Sequence, residues 1–313
     1  MQLHNRTSAA FLSAARLFQQ PLSLFSSNQT SSSTTMTRAP VIAVCHGGGP
    51  MPLLGDPGHA NLIESMSTKV PETLQLGTPN APKAIVLVTA HWTTRTPKIS
   101  SAKTHELYYD YGGFPPESYR LRYDAPGSPE VAKQVFDLLQ AAGFTPSMDE
   151  ERGWDHGVFV PLTLINPKAD IPVVQISVLN TEESSAHYAM GRALAPLRDQ
   201  GIAIIGSGMP TFHNLRLMFS LPGRSQGDKA KVLDRIALWS KDLTDAVCLE
   251  SSEKREAKLK TWRGFKSGDE AHPPGMAEHL LPLFVCAGAG GDGKAHAHGD
   301  DLHGSEHFTY SWK

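Results

Sequence analysis

The chain has 313 residues, 40% of them hydrophobic and 19% charged, with a net charge of −2. That length suits one α/β domain or two smaller ones, and the near-neutral charge balance gives nucleic acid or an anionic membrane nothing to hold. No apolar run approaches the ~20 residues of a membrane-spanning helix, and three widely spaced cysteines argue against a disulfide framework and for a reducing compartment, the cytoplasm.

Residues 1–39 carry Arg6, Arg16 and Arg38, many serines and threonines, and no acidic residue. Phe11, Ala14, Ala15 and Phe18 fall at helical spacing around Arg16. The stretch reads as a mitochondrial presequence or as a disordered leader, the second including a true start at Met36. Residues 40–313 read as the folded domain.

Val41–Cys45 is an apolar strand that stops at His46-Gly47-Gly48-Gly49-Pro50. A helix is expected over Ala60–Lys69. Ala84–Val88 is an unbroken apolar run with β-branched members, the pattern of a strand buried on both faces of a parallel sheet, and it runs towards His91. Residues 105–127 hold five tyrosines, Phe114 and two arginines among prolines and glycines. They read equally as a loop packed by its own aromatics and as the wall for a planar aromatic or acidic ligand, with Tyr119, Arg120 and Arg122 as the substrate-binding candidates.

Ser128–Gly143 has Val131, Val135, Leu138 and Leu139 at helical spacing. Gly153-Trp154-Asp155-His156-Gly157 follows, then Val158–Ile165 and a buried-type strand over Ile171–Leu179. Ser184–Gln200 reads as a helix feeding the strand Ile202–Ile205, which runs through Gly206-Ser207-Gly208 towards His213. Pro222–Ala271 is polar and largely helical, with Leu233, Ile236, Ala237, Trp239, Leu243 and Val247 as its buried stripe and Glu253–Arg263 as a solvated face. Met276–Ala287 is apolar around Glu278-His279, Gly288–Ser305 reads as a Gly/His-rich loop, and His307–Trp312 as an edge strand. The alternation predicts a single α/β domain, a central, mostly parallel sheet flanked by helices, with ligands at the carboxyl ends of the strands.

Histidine is the one residue in chemically meaningful excess, at 14. His46, His91 and His213 follow three apolar strands, while His156 and His279 stand in short motifs beside apolar segments. Imidazoles buried at strand ends need compensation, from a metal or from one another. His4, His59, His105, His187 and His272 read as ordinary hydrogen-bonded residues. His296, His298, His303 and His307 read as an adventitious tract in a glycine-rich tail. There is no C-x-x-C, no H-E-x-x-H, no EF-hand loop and no G-x-S-x-G. Spacing alone therefore supports a metal site and no particular reaction.

Six motifs occur in one order: H-G-G-G-P at 46–50, T-A-H-W at 89–92, the run from Tyr109 to Glu130, W-D-H-G-V-F-V-P-L at 154–162, F-H-N-L-R at 212–216 and E-H-L-L-P-L at 278–283. Together they resemble the class III extradiol ring-cleaving dioxygenases, of the DOPA-type group related to the catalytic subunit of protocatechuate 4,5-dioxygenase, over roughly Pro40–Gly288. The resemblance implies a non-haem Fe(II) enzyme that opens a DOPA-like catechol with O2, one divalent metal per site, with Zn(II) as a form that can be isolated. It implies His46 and His91 as metal ligands and His279 as the third, beside a Glu278 that occupies the place of a frequent glutamate ligand. His213 matches a fourth ligand or the acid/base, and His156 a pocket histidine near oxygen and substrate.

Such chemistry fits the residue types. Three protein ligands leave open positions on iron, and a histidine base with a reference pKa of ~6.5 is typically worth ~10²–10⁴ in rate. Zinc would fill the same imidazoles without redox chemistry. A zinc-dependent hydrolase and a non-catalytic binding protein of the same fold are the alternatives. The expected partners are a catechol and O2, with neither nucleic acid nor membrane, and monomer and homodimer stay equally open. Two features depart from the pattern: three glycines where many relatives have Gly-Ser-Pro, and a longer Pro222–Ala271 segment and tail.

Overall fold

Strands form where the chain offers apolar, β-branched runs, and the computed structural model, which describes residues 38–313, joins them into one sheet. Of the expected leader, all but Arg38 and Ala39 lies outside the described residues. Among the described residues there are eight strands: β1 (Val41–Cys45), β2 (Ala84–Thr94), β3 (Lys98–Ser100), β4 (Ser147–Asp149), β5 (Val173–Leu179), β6 (Ile202–Gly208), β7 (His296–Leu302) and β8 (Ser305–Trp312). Their order is β4-β3-β5-β2-β6-β1-β8-β7. The four central strands, β5, β2, β6 and β1, are mutually parallel. β3 runs antiparallel to β5, and β8 antiparallel to both β1 and β7.

The helices are α1 (Ala60–Ser67), α2 (Lys69–Thr73), α3 (Pro129–Ala141), α4 (His156–Ile165), α5 (Ser184–Leu194), α6 (Leu215–Ser220), α7 (Gln226–Val247), α8 (Ser252–Leu259), α9 (Gly268–Ala271) and α10 (Leu281–Gly290). Strand alternation divides the apolar side chains between the two faces of the sheet. Val41, Ala43, Val86, Val88 and Ile204 join the core built with α3, α5, α7 and α10. Ile42, Val44, Ile85, Leu87 and Ile205 join the core built with α1 and α4. Each fully buried Val, Leu or Ile contributes ~1.5–3 kcal/mol, so both layers are held firmly. Local signals set the helix starts: Ser128 caps α3 by accepting from the Val131 N–H (3.2 Å), with Pro129 at the first helical position.

The architecture is the one expected, with several corrections of detail. His307–Trp312 is not an edge strand, because β8 lies between β1 and β7. The supposed tail loop supplies the end of α10 and the whole of β7. Its hairpin turns on His303-Gly304, both with positive φ (52° and 82°), the backbone that a two-residue turn of type I′ demands. In α7 the residues that bury are Val232, Ile236, Trp239, Ser240, Leu243, Ala246 and Val247, whereas Leu233 is half-buried and Ala237 is exposed. The segment Glu253–Arg263 is not only a solvated face, since Arg255 is fully buried. The short strands β3 and β4 carry too few apolar residues to announce themselves.

Candidate active site

The site forms where β1, β2 and β6 end. β1 stops at Cys45, and the His46 N–H donates to the Gly208 carbonyl (2.9 Å), tying the first turn to the end of β6. Gly47 then takes φ +80°, and a Cβ there would lie 2.8 Å from His59 Cδ2. Only glycine fits that turn. The next amide, Gly48 N–H, donates to His59 Nε2 (3.0 Å), and His59 Nδ1–H donates to Asp56 (2.6 Å). His59 is therefore hydrogen-bonded, as expected, and what it holds is the glycine turn.

His91 does not follow a strand end as the apolar run implied. It sits inside β2, where the register with β5 shifts between Thr89 and Thr93. An irregularity of this kind re-aims a side chain out of the ladder. His279 arrives from the other side, just ahead of α10, its carbonyl accepting from the Met209 N–H (3.0 Å) beyond β6. A Cβ on Gly208 would strike that same carbonyl, so glycine allows the two backbones to meet.

The three rings converge, with centroids 5.0 Å apart for His46–His91, 5.2 Å for His46–His279 and 4.8 Å for His91–His279. His91 Nε2 lies 3.2 Å from His279 Nε2. In each ring Nδ1 faces an oxygen: the Gly47 carbonyl at 2.9 Å for His46, Asp110 at 3.3 Å for His91 and Glu278 at 2.9 Å for His279. An acceptor on Nδ1 leaves the Nε2 lone pair free, the arrangement in which outer carboxylates and carbonyls orient metal-binding imidazoles. His46 Nε2 is buried with no hydrogen-bond partner among the described residues. That orphaned acceptor, whose ring offers a nitrogen within 4.8 Å of one from His91 and one from His156, fits a divalent cation. Glu278 is turned onto Nδ1 of its neighbour and lies 3.8 Å from His213 Nδ1, so within that pair it is His279 that faces His91.

Burial, then the other imidazoles nearby, pushes His46 and His279 well below the ordinary histidine range. Burial, then His156, takes His91 down to about 3. All three are neutral near pH 7, the form that can ligate. His156 opens α4, its ring 3.8 Å from His91, and both its Nδ1 (2.7 Å) and its backbone N–H (3.0 Å) are held by Asp110. Burial alone would raise the Asp110 carboxyl, but the hydrogen bonds from His156 and the nearby His91 keep it below its usual range. His213 stacks on His279 with centroids 3.4 Å apart and planes 17° from parallel. Burial, then His156, lowers it to about 4.

These five histidines line a cavity of about 430 Å³. From the aromatic loop the wall takes Tyr111 and Phe114. The three residues expected to bind substrate, Tyr119, Arg120 and Arg122, are exposed and do not line it. The turn Pro116–Arg120 directs them to solvent, and Tyr119 only backs Tyr111, 5.5 Å away ring to ring. Tyr111 and Phe114 belong to the aromatic run read as a candidate wall, whereas Asp110 escaped attention in the sequence; its signal was an acidic residue standing alone between tyrosines in Y-D-Y-G-G-F. The tail histidines are not one tract either: His307 is buried beside Cys45, whereas His303 stands at the cavity rim.

Residues 45–311 match the family described as the catalytic LigB subunit of aromatic ring-opening dioxygenase. A dioxygenase designated tasH from Hapsidospora irregularis is 46% identical over 286 residues, spanning 90% of this chain and 87% of that protein. The 4,5-DOPA dioxygenase extradiol of Beta vulgaris is 40% identical over 67% of this chain and 74% of its own length. That of Escherichia coli (strain K12) is 38% identical over 81% and 86%. The crystal structure of an uncharacterized Escherichia coli K12 protein aligns with a TM-score of 0.60 at 27% identity, over 88% of this chain and 100% of that one. The neutral imidazoles gathered at the strand ends thus recur in a chain that belongs to the LigB family of aromatic ring-opening dioxygenases, as a class III extradiol enzyme of the DOPA dioxygenase-like kind.

Proposed function

We propose that the chain is a ferrous extradiol dioxygenase that opens the ring of a catechol with O2, using His46, His91 and His279 as the metal ligands. The observation that carries this reading is the convergence of three rings, with centroids 4.8–5.2 Å apart and the Nε2 atoms of His91 and His279 3.2 Å apart, while each Nδ1 is engaged elsewhere. When bound, Fe(II) supplies open coordination positions and the redox capacity that joining O2 to an aromatic ring requires. Three neutral ligands leave the site's positive charge intact, which favours a catecholate.

The chain's own residues supply the rest. His213, neutral and buried, takes a proton from a substrate hydroxyl and returns it later. It packs on the outer ligand, His279, alone of the three, which supports the acid/base role over that of a fourth ligand. His156, fixed by Asp110, presents its free edge to the cavity and stabilises negative charge as it develops there. Tyr111 and Phe114 confine a planar ring and exclude water.

The test is anaerobic loading with Fe(II), then addition of catechol and air. Oxygen uptake with a yellow ring-opened product is expected, and the zinc-loaded protein should fold and stay inactive. His213→Ala should keep its metal and lose ~10²–10⁴ in kcat. Loss of the metal in that variant would overturn the role given to His213.

A further inference from the structure

A second cavity of about 300 Å³ adjoins the first and shares with it Met218, Phe219, Leu302 and His303. It continues past them to Phe212, Leu221 and Pro222. We propose that this side cavity holds an apolar substituent on the aromatic ring, so that the chain's substrate is a hydrophobically substituted catechol rather than an amino-acid one. The inference rests on the dioxygenase reading above.

Three observations converge on it. First, among the described residues no lysine, arginine, aspartate or glutamate lines the main cavity. A DOPA-like side chain would bring an ammonium and a carboxylate, and burying those without partners is costly. Second, three of the four residues that the cavities share, Met218, Phe219 and Leu302, are apolar, with His303 as the fourth. Met218 is an adaptable gap-filler, and Phe219 is 80% exposed on α6. With Leu215, 41% exposed and also lining the main cavity, it leaves an apolar lip at the mouth. Third, α6 is held in place from its first turn, since Asn214 accepts from the Leu217 N–H (3.1 Å) and donates to the Glu270 carbonyl (2.8 Å). His213 immediately precedes Asn214. The segment that carries the base therefore also carries the lip of the side cavity, and a ring seated at the histidines directs its substituent over Met218. Lys229, at the far end, is among the described residues the one lysine or arginine lining either cavity, placed where the substituent would meet solvent.

The test uses the Fe(II)-loaded full chain with 4-methylcatechol, 4-butylcatechol, 4-hexylcatechol and DOPA, and reads oxygen uptake. Calorimetry under nitrogen reads binding of the same four compounds. A fully buried methylene is worth about fourfold in affinity, so kcat/KM and affinity should each rise about twofold or more per methylene from methyl to hexyl. Leu221→Trp, which fills the side cavity, should lower kcat/KM for 4-hexylcatechol about tenfold. It should leave the methyl compound within about threefold. Leu221→Ala, which enlarges the cavity, should improve the hexyl compound relative to the butyl one. A flat binding series, an equal loss for methyl and hexyl in Leu221→Trp, or a preference for DOPA that Lys229→Ala abolishes would each overturn the proposal. A rising binding series with no turnover of any catechol would sink the dioxygenase chemistry and leave the side cavity's assignment standing.

Discussion

At the carboxyl end of α10 the Arg255 guanidinium is fully buried and donates to the carbonyls of Ala287 and Gly291, and to those of Val247 and Leu249 at the end of α7. Arg198 reaches the same end from the other side, donating to Ala289 and Gly290. Cations at a helix carboxyl terminus face its negative pole and satisfy its orphan carbonyls. Just ahead of the other end of α10 stands His279, buried as deeply, with its Nε2 turned to other imidazoles instead of to an acceptor. The same helix thus separates two uses of a buried polar side chain. Where nearly every hydrogen-bonding capacity is spent on backbone, the group holds the fold. Where lone pairs converge unspent, it holds something from outside.

That contrast can be broken most directly by exchanging one residue from each end. Arg255→Leu should cost about 3 kcal/mol or more in urea unfolding, because several buried carbonyls lose their donors at once. The folded fraction should still bind metal in full. His91→Ala should do the reverse, losing metal retention measured by elemental analysis while the metal-free protein unfolds at the same or higher urea. If Arg255→Leu loses metal without losing stability, or His91→Ala unfolds the chain, the division fails.

A smaller effect sharpens it. Asp110 touches no other part of the proposed ligand set than His91, and also fixes His156. Asp110→Asn should weaken metal binding ~10–100-fold through ring orientation, with a normal urea midpoint. A wild-type affinity would remove Asp110 from the site's support.

The smallest effect concerns a histidine that behaves like the arginines. His187 Nε2 accepts from the Leu179 N–H (3.0 Å) and its Nδ1 donates to the Glu183 carbonyl (2.9 Å), so both nitrogens are spent. Burial lowers its pKa from 6.5 to about 4. The unfolded chain therefore takes up this proton more readily than the folded one. Its contribution is complete above pH 6.5 and drains away as the pH falls towards 4. Stability measured by urea unfolding should drop by ~1 kcal/mol between pH 6.5 and about 5.5 from this group alone. His187→Gln should flatten that slope, and an unchanged slope would exclude His187 as its source.

Much of the site was visible in the chain because its signals are local. Val41–Cys45, Ala84–Val88 and Ile202–Ile205 are apolar runs, and a buried parallel strand needs little more than that. His46, His91 and His213 come one, three and eight residues after those runs, so the sheet brings them to one edge. What stayed hidden depends on contacts between distant residues. Tyr119, Arg120 and Arg122 looked suited to a carboxylate, yet one short turn sends them to solvent and gives the wall to Tyr111 and Phe114. Arg255 resembled any arginine on a charged helix until the ends of α7 and α10 closed around it.

From its own residues the chain determined the parallel sheet and the set of imidazoles, since hydrophobic periodicity and motif order are properties of neighbouring positions. Tertiary structure alone decided which nitrogen of His91 faces inward, that β8 inserts beside β1, and that Asp110 serves two histidines at once. Those outcomes hang on hydrogen-bond partners 19 to over 260 positions away, and no local pattern encodes a partner's place in space.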